Sequence, residues 1–209
     1  MKNKKRLILT SLVCLLPLLV GAALYSRLPE TVPMHWNLQG EVDGWGSRAQ
    51  AVFLMPGFLL GMNLVLAWVL DADPKRANMS PALRAVAQWS VPLLSLLLSG
   101  VTLSAALGHP LPVERVVPVF VGLLFILIGN YLPKSKQSYT MGIRLPWTLA
   151  SEENWNRTHR LAGYLWILGG LAFVVMSFIG WTLPVFFAIL IVITLVPVVY
   201  SYLLYRKGI

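Results

Sequence analysis

Long apolar runs alternate with short polar segments along the whole chain. Six runs contain no Asp, Glu, Lys, Arg or His: 7–25, 49–70, 85–107, 116–132, 161–179 and 183–205. Each is 17 to 23 residues long, close to the roughly 20 helical residues that cross a hydrocarbon layer about 30 Å thick. The pattern therefore predicts an all-α integral membrane protein with six transmembrane helices. Residues 161–205 carry no charge, and Gly180-Trp181-Thr182-Leu183-Pro184 is the turn that divides them into two crossings. The layout suggests a two-span unit over 1–70 with a Pro/Gly/Trp-rich loop at 26–48, then a four-span unit over 71–209 with a loop at 134–160.

Composition agrees: 57% of the 209 residues are hydrophobic and 12% charged, and the mean hydropathy is +0.70, values outside the range of water-soluble domains. The net charge of +9 does not point to nucleic acid, because the basic residues follow a topological rule. With the N-terminus cytoplasmic, 14 of the 17 Lys and Arg fall on the inner side and only Arg27, Arg48 and Arg115 outside, a strong positive-inside bias. Both termini are then cytoplasmic, and the location is the plasma membrane. The basic start (Lys2, Lys4, Lys5, Arg6) before a 19-residue run without a small-x-small site reads as a retained anchor. A lone cysteine, Cys14, permits no internal disulfide.

Within the spans, Pro17, Pro56, Pro92, Pro118 and Pro197 predict bent helices whose freed carbonyls are satisfied by neighbours. Gly57 and Gly61 form a Gly-x-x-x-Gly pair suited to close helix contact. Asn63, Gln88 and Asn130 are expected to hydrogen-bond across helices. The absence of ionisable groups from the runs argues against a pump or coupled transporter.

The outer loop contains Pro33, Met34, His35, Trp36, Asn37, Gly40, Glu41, Asp43, Gly44, Trp45 and Gly46. Its prolines and glycines forbid a continuous helix and predict a compact, turn-rich cap, with Trp36 and Trp45 as interfacial anchors. His35, Glu41 and Asp43 can ligate metal, but no second His or helical i, i+4 spacing accompanies them, so a hydrogen-bonded turn is expected and no metal.

In the inner loop, Ser151 is an N-cap for a helix that starts with Glu152 and Glu153 and continues into the fifth span. Glu153 and Arg157 stand at i, i+4, and Trp155 and His159 share another face. Arg144, Trp147, Trp155, His159 and Arg160 crowd into one short segment, which suits either an interfacial helix or the binding of an anionic headgroup or a protein. His159 lacks an accompanying nucleophile or metal-ligand pair, so neither an enzyme nor a cofactor is expected.

Three runs resemble the signature of the SdpI family of bacterial membrane proteins: Gly129-Asn130-Tyr131-Leu132-Pro133-Lys134, Gly142-Ile143-Arg144-Leu145-Pro146-Trp147-Thr148-Leu149, and Trp155-Asn156-Arg157-Thr158-His159-Arg160. The outer run Pro33-Met34-His35-Trp36-Asn37, with Gly40, Asp43 and Gly46-Ser47-Arg48, resembles the small domain of unknown function that commonly precedes it. The chain departs from the family pattern at Leu145, commonly Thr, and at Gln137-Ser138, commonly Pro-Asn. The resemblance implies immunity to a secreted killing peptide and a receptor role that holds a cytosolic repressor at the membrane. It also implies a partner-binding inner site of Asn130, Arg144, Pro146, Trp147, Thr148, Trp155, Thr158, His159 and Arg160. The outer site would comprise Pro33, His35, Trp36, Asn37, Gly40, Asp43 and Gly46. The competing expectation is a protein that binds anionic lipid or moves a small solute, with Arg144 and Arg160 gripping a phosphate and Asn130 lining a polar path. Membrane lipids are partners in either case.

Overall fold

The computed structural model describes residues 4–209; Lys2, counted in the basic start, lies outside them. The elements run α1 (Lys4–Leu24), β1 (Thr31–Trp36), β2 (Val42–Ser47), α2 (Met55–Ala72), α3 (Pro81–Ala106), α4 (Val113–Tyr131), α5 (Pro146–Ala150), α6 (Glu152–Ile179) and α7 (Leu183–Arg206). Six helical stretches are long and apolar enough to cross a membrane, Lys4–Arg27, Gln50–Ala72, Pro81–Ala106, Val113–Lys134, Glu152–Ile179 and Leu183–Arg206, and each contains or closely matches one of the six runs. Ser151 caps α6, its Oγ accepting from Asn154 N–H at 3.2 Å, and the helix continues unbroken to Ile179. Gly180, at φ 117°, turns the chain before α7.

The chain divides into two compact units, Met1–Trp68 with Ala87–Val117, and Val69–Val86 with Pro118–Ile209. Each unit joins two separate stretches of the sequence. Residues 87–117 group with the first because α3 packs there: Gln88 accepts from Arg6 at 3.0 Å and Val91 packs with Cys14 and Leu59.

In the first unit, α1 buries Thr10, Cys14, Pro17 and Gly21 on one stripe and exposes Ile8, Leu12, Leu16 and Leu19. Small and polar residues inside with large apolar ones outside suit a helix whose solvent is lipid. Asn63 is buried and donates to Thr10 and Ser11, 3.3 Å to each hydroxyl, so Asn63 and Gln88 bond across helices as expected. Gly57 and Gly61 do not make the close contact expected of them: a side chain at either would meet nothing within 4 Å. The outer loop is more ordered than a turn-rich cap, because β1 and β2 form an antiparallel hairpin.

In the second unit the close helix approach belongs to other glycines. A Cβ at Gly122 would lie 2.6 Å from the Gly170 carbonyl, and one at Gly129 2.7 Å from that of Gly163. On each helix the two glycines are seven residues apart, two helical turns, so one face of α4 meets one face of α6 backbone to backbone. Leu83, Leu132 and Ala162 form the apolar core beside them. Asn130, next to Gly129, is exposed and makes no side-chain hydrogen bond among the described residues, contrary to the expectation of a cross-helix bond.

Candidate functional site

The motif at 134–160 is built around a carboxylate that sequence reasoning passed over. Asp73, just past the end of α2, is buried; it accepts from Lys75 N–H at 2.7 Å, Ser138 Oγ at 2.7 Å and Thr140 N–H at 2.8 Å. Burial alone pushes its carboxyl up, but these donors outweigh it and hold the group below the usual Asp value. Ser138 Oγ accepts in turn from Thr140 and Met141 N–H at 3.2 Å. Asn78 ties the same strand of loop down, its Nδ2 donating to Gln137 O at 2.9 Å.

The loop then passes over a buried aromatic pair. Trp155 and His159, one turn apart on α6, stack at 3.9 Å between centroids and 22°. Gly142 crosses them at φ 107°, and a Cβ there would lie 2.5 Å from His159 Nε2 and 2.7 Å from Trp155 Cη2; only glycine suits both demands. Ile143 N–H donates to His159 Nε2 at 2.9 Å. An N–H can only donate, so Nε2 is bare, and the ring proton sits on Nδ1, where it reaches Trp155 O at 2.7 Å. Both ring nitrogens are committed to the fold. Trp155 Nε1–H closes the loop on Ser135 O at 2.8 Å.

Helix α5 follows. Thr148 Oγ1 accepts from Leu145 N–H at 2.9 Å and lies 2.8 Å from Ile143 O, to which it donates. Leu145 contributes only its backbone to this cap. Gln137 Nε2 caps the other end, donating to Thr148 O at 3.0 Å and Leu149 O at 3.2 Å. Trp147 Nε1–H donates to Ser201 Oγ at 2.9 Å, and its ring stacks on Tyr205 and meets Tyr202 edge-on. Buried Asn154 donates to Ser201 O at 2.9 Å and accepts from Thr158 Oγ1 at 3.1 Å.

The expected inner residues thus divide by depth. Thr148, Trp155, Thr158 and His159 are buried, Trp147 half-buried, and Asn130, Arg144, Pro146 and Arg160 exposed. Arg144 is held out by its Nη1 donating to Tyr139 O at 2.7 Å, and Arg157 pairs with Glu153 at 2.5 Å. Asp73, Gln137, Ser138, Gly142, Asn154 and Ser201 complete the frame. Asp73-Pro74 signals a turn in the sequence, but Ser138 and Thr140, which bond its carboxylate, lie more than 60 residues away and leave no local trace.

In the first unit the hairpin gathers the expected outer residues. Asn37 shapes the turn, its Oδ1 accepting from Gln39 and Glu41 N–H at 3.0 Å each. Gly40 takes φ 82° and sits against the Glu114 carboxylate, where a side chain would collide. His35 Nδ1 pairs with Asp43 at 2.5 Å. Val32 and Pro33 are buried, Trp36 is half-buried and Trp45 is exposed. Gly44 and Gly46 make room for the cross-strand side chains of His35 and Met34. Ser47 and Gln50 cap each other, Ser47 N–H to Gln50 Oε1 at 2.7 Å and Gln50 N–H to Ser47 Oγ at 3.2 Å. This capping box is written in the sequence as Ser-x-x-Gln. Arg48 turns inward, its guanidinium 4.7 Å from the Tyr25 ring centroid.

Six apolar helices, a folded hairpin and a hydrogen-bonded inner frame define a multi-pass membrane protein. Residues 134–201 match the SdpI/YfhL protein family and residues 12–60 match a domain of unknown function, DUF1648. Residues 134–201 thus carry the family's signature, and the domain of unknown function precedes it in the chain. The chain is 29% identical over 198 residues to the immunity protein SdpI of Bacillus subtilis (strain 168), covering 95% of this chain and 92% of that one. An uncharacterized protein of Archaeoglobus fulgidus is 42% identical over 60 residues, 29% of this chain and 31% of its own. No solved structure matches the chain.

Proposed function

We propose that this protein gives its cell immunity to a secreted, membrane-active killing peptide and also acts as a receptor that holds a cytosolic repressor at the plasma membrane. The observation that carries this reading is the similarity to an immunity protein along nearly the full length of both chains. The charge bias supports the orientation: the termini and the motif loop are cytoplasmic and the hairpin is external. The hairpin then meets the peptide, and exposed Arg144 and Arg160, set on the buried Trp155–His159 frame, engage the repressor. The buried members of the motif hold that surface in shape, and the chemistry is binding without catalysis. The test is survival of a sensitive bacterium challenged with such a peptide, with and without the protein, reading membrane potential alongside. Potential retained only when the hairpin is intact supports immunity; equal collapse in both strains overturns it.

A second reading is favoured by one feature, the packing of Trp147 against Tyr202 and Tyr205 beside Arg206 and Lys207. Aromatic rings with flanking basic residues suit an anionic headgroup at the inner leaflet. Anionic lipid that survives detergent extraction and is lost in Arg144→Ala supports this reading.

A further inference from the structure

The hairpin is a two-stranded sheet, so among the described residues each strand has an edge with no further strand beside it. The two edges differ. Strand β1 is protected: Val32 and Pro33 are buried, and Pro33 has no N–H to offer. Strand β2 runs Val42-Asp43-Gly44-Trp45-Gly46-Ser47, without proline or lysine, and every residue in it is exposed or half-exposed. Natural sheets blunt a free edge with proline, charge, bulges or cover; β2 has no proline or lysine, and its one charged residue is Asp43. The strand also carries Trp45, 64% exposed, as an apolar side chain.

Charge narrows the occupant. In a chain of net charge +9, residues 29–47 contain Glu30, Glu41 and Asp43 and no Lys or Arg. Arg48, which follows, is folded onto Tyr25. A sheet edge supplies affinity through main-chain hydrogen bonds and selects by alternate side chains, while a negative rim favours cationic partners.

We infer that β2 is a docking edge on which an extended, cationic peptide segment adds as a third strand. This deepens the immunity reading, since it names how the killing peptide is captured, and it rests on the hairpin being the peptide-facing side.

The test uses the full-length protein in nanodiscs and an eight-residue labelled peptide alternating lysine and valine, read by fluorescence anisotropy. Three comparison peptides accompany it: its N-methylated counterpart, which keeps every side chain but cannot donate, a glutamate-valine version, and a version with lysine and valine scrambled. Binding at least tenfold weaker for the N-methylated and glutamate peptides, and severalfold weaker for the scrambled one, is expected. Glu41→Gln with Asp43→Asn should weaken the lysine peptide several-fold and flatten its salt dependence. Equal binding of the N-methylated peptide, or equal binding to empty nanodiscs, overturns strand addition. If pairing fails here while protection persists in cells, only the docking mode falls; if pairing is found and protection is absent, only the immunity role falls.

Discussion

A methyl group at Gly142 would press on His159 Nε2 and the Trp155 ring from a backbone at φ 107°, so two independent penalties fall on one substitution. Gly142→Ala should cost at least about 2 kcal/mol, read as a lower melting temperature in detergent. Asp73 has a different signature. Its folded carboxyl is held below the ordinary value near 3.8, so the stability it contributes is present above that value and fades as pH falls through the lower folded one. Asp73→Asn loses charge-assisted bonds from Ser138 and Thr140, about 1.5–3 kcal/mol for a bond to a charged group. The gap in melting temperature between the native protein and Asp73→Asn should be wide at pH 7 and narrow as the pH drops below 4. A gap that does not change with pH would show that the bonds to Asp73 do not depend on its charge.

Helices were legible because each needs only its own residues: apolar length marked the spans, and Ser151 with Glu152 and Glu153 marked the start of α6. Contacts between elements were less so. Gly57 and Gly61 have the familiar spacing yet face open space, while Gly122, Gly129, Gly163 and Gly170 pair at seven-residue spacing across α4 and α6. A spacing marks a face of a helix; it does not say which face finds a partner. The same limit explains the candidate site. Trp155 and His159 on one helical face were readable, but the Gly142 crossing and the Ile143 bond required the loop to return. The hairpin was hidden because β1 carries a proline and β2 two glycines, with register irregular around His35. Two outcomes follow at this scale. Gly57→Ala and Gly61→Ala should leave the melting temperature within a degree or two, whereas Gly129→Leu and Gly163→Leu should force α4 from α6 and abolish folded yield. Ser47→Ala and Ser151→Ala each remove a helix cap and should cost about 1 kcal/mol, measured by the same melt.

For the whole molecule, the proposed protection and the proposed signalling place different demands on the chain. Protection needs only a surface the peptide meets, while signalling needs that event to change what the repressor meets, which is a coupling between two sites. Removing the loop at 134–160 cannot separate the two, because Ser135, Ser138 and Gly142 belong to the buried frame that holds α6. Charge reversal at Arg144 and Arg160 can, since both side chains are exposed and neither closes the frame. Arg144→Glu with Arg160→Glu should leave survival under peptide challenge unchanged and abolish peptide-dependent derepression, read with a reporter behind the repressor's operator. On the proposed docking edge, Glu41→Gln with Asp43→Asn acts at the input and should lower survival and derepression together, because the peptide is held less tightly. If the arginine reversals also remove protection while the protein stays folded and in the membrane, the two functions share one surface and the division between hairpin and motif is wrong.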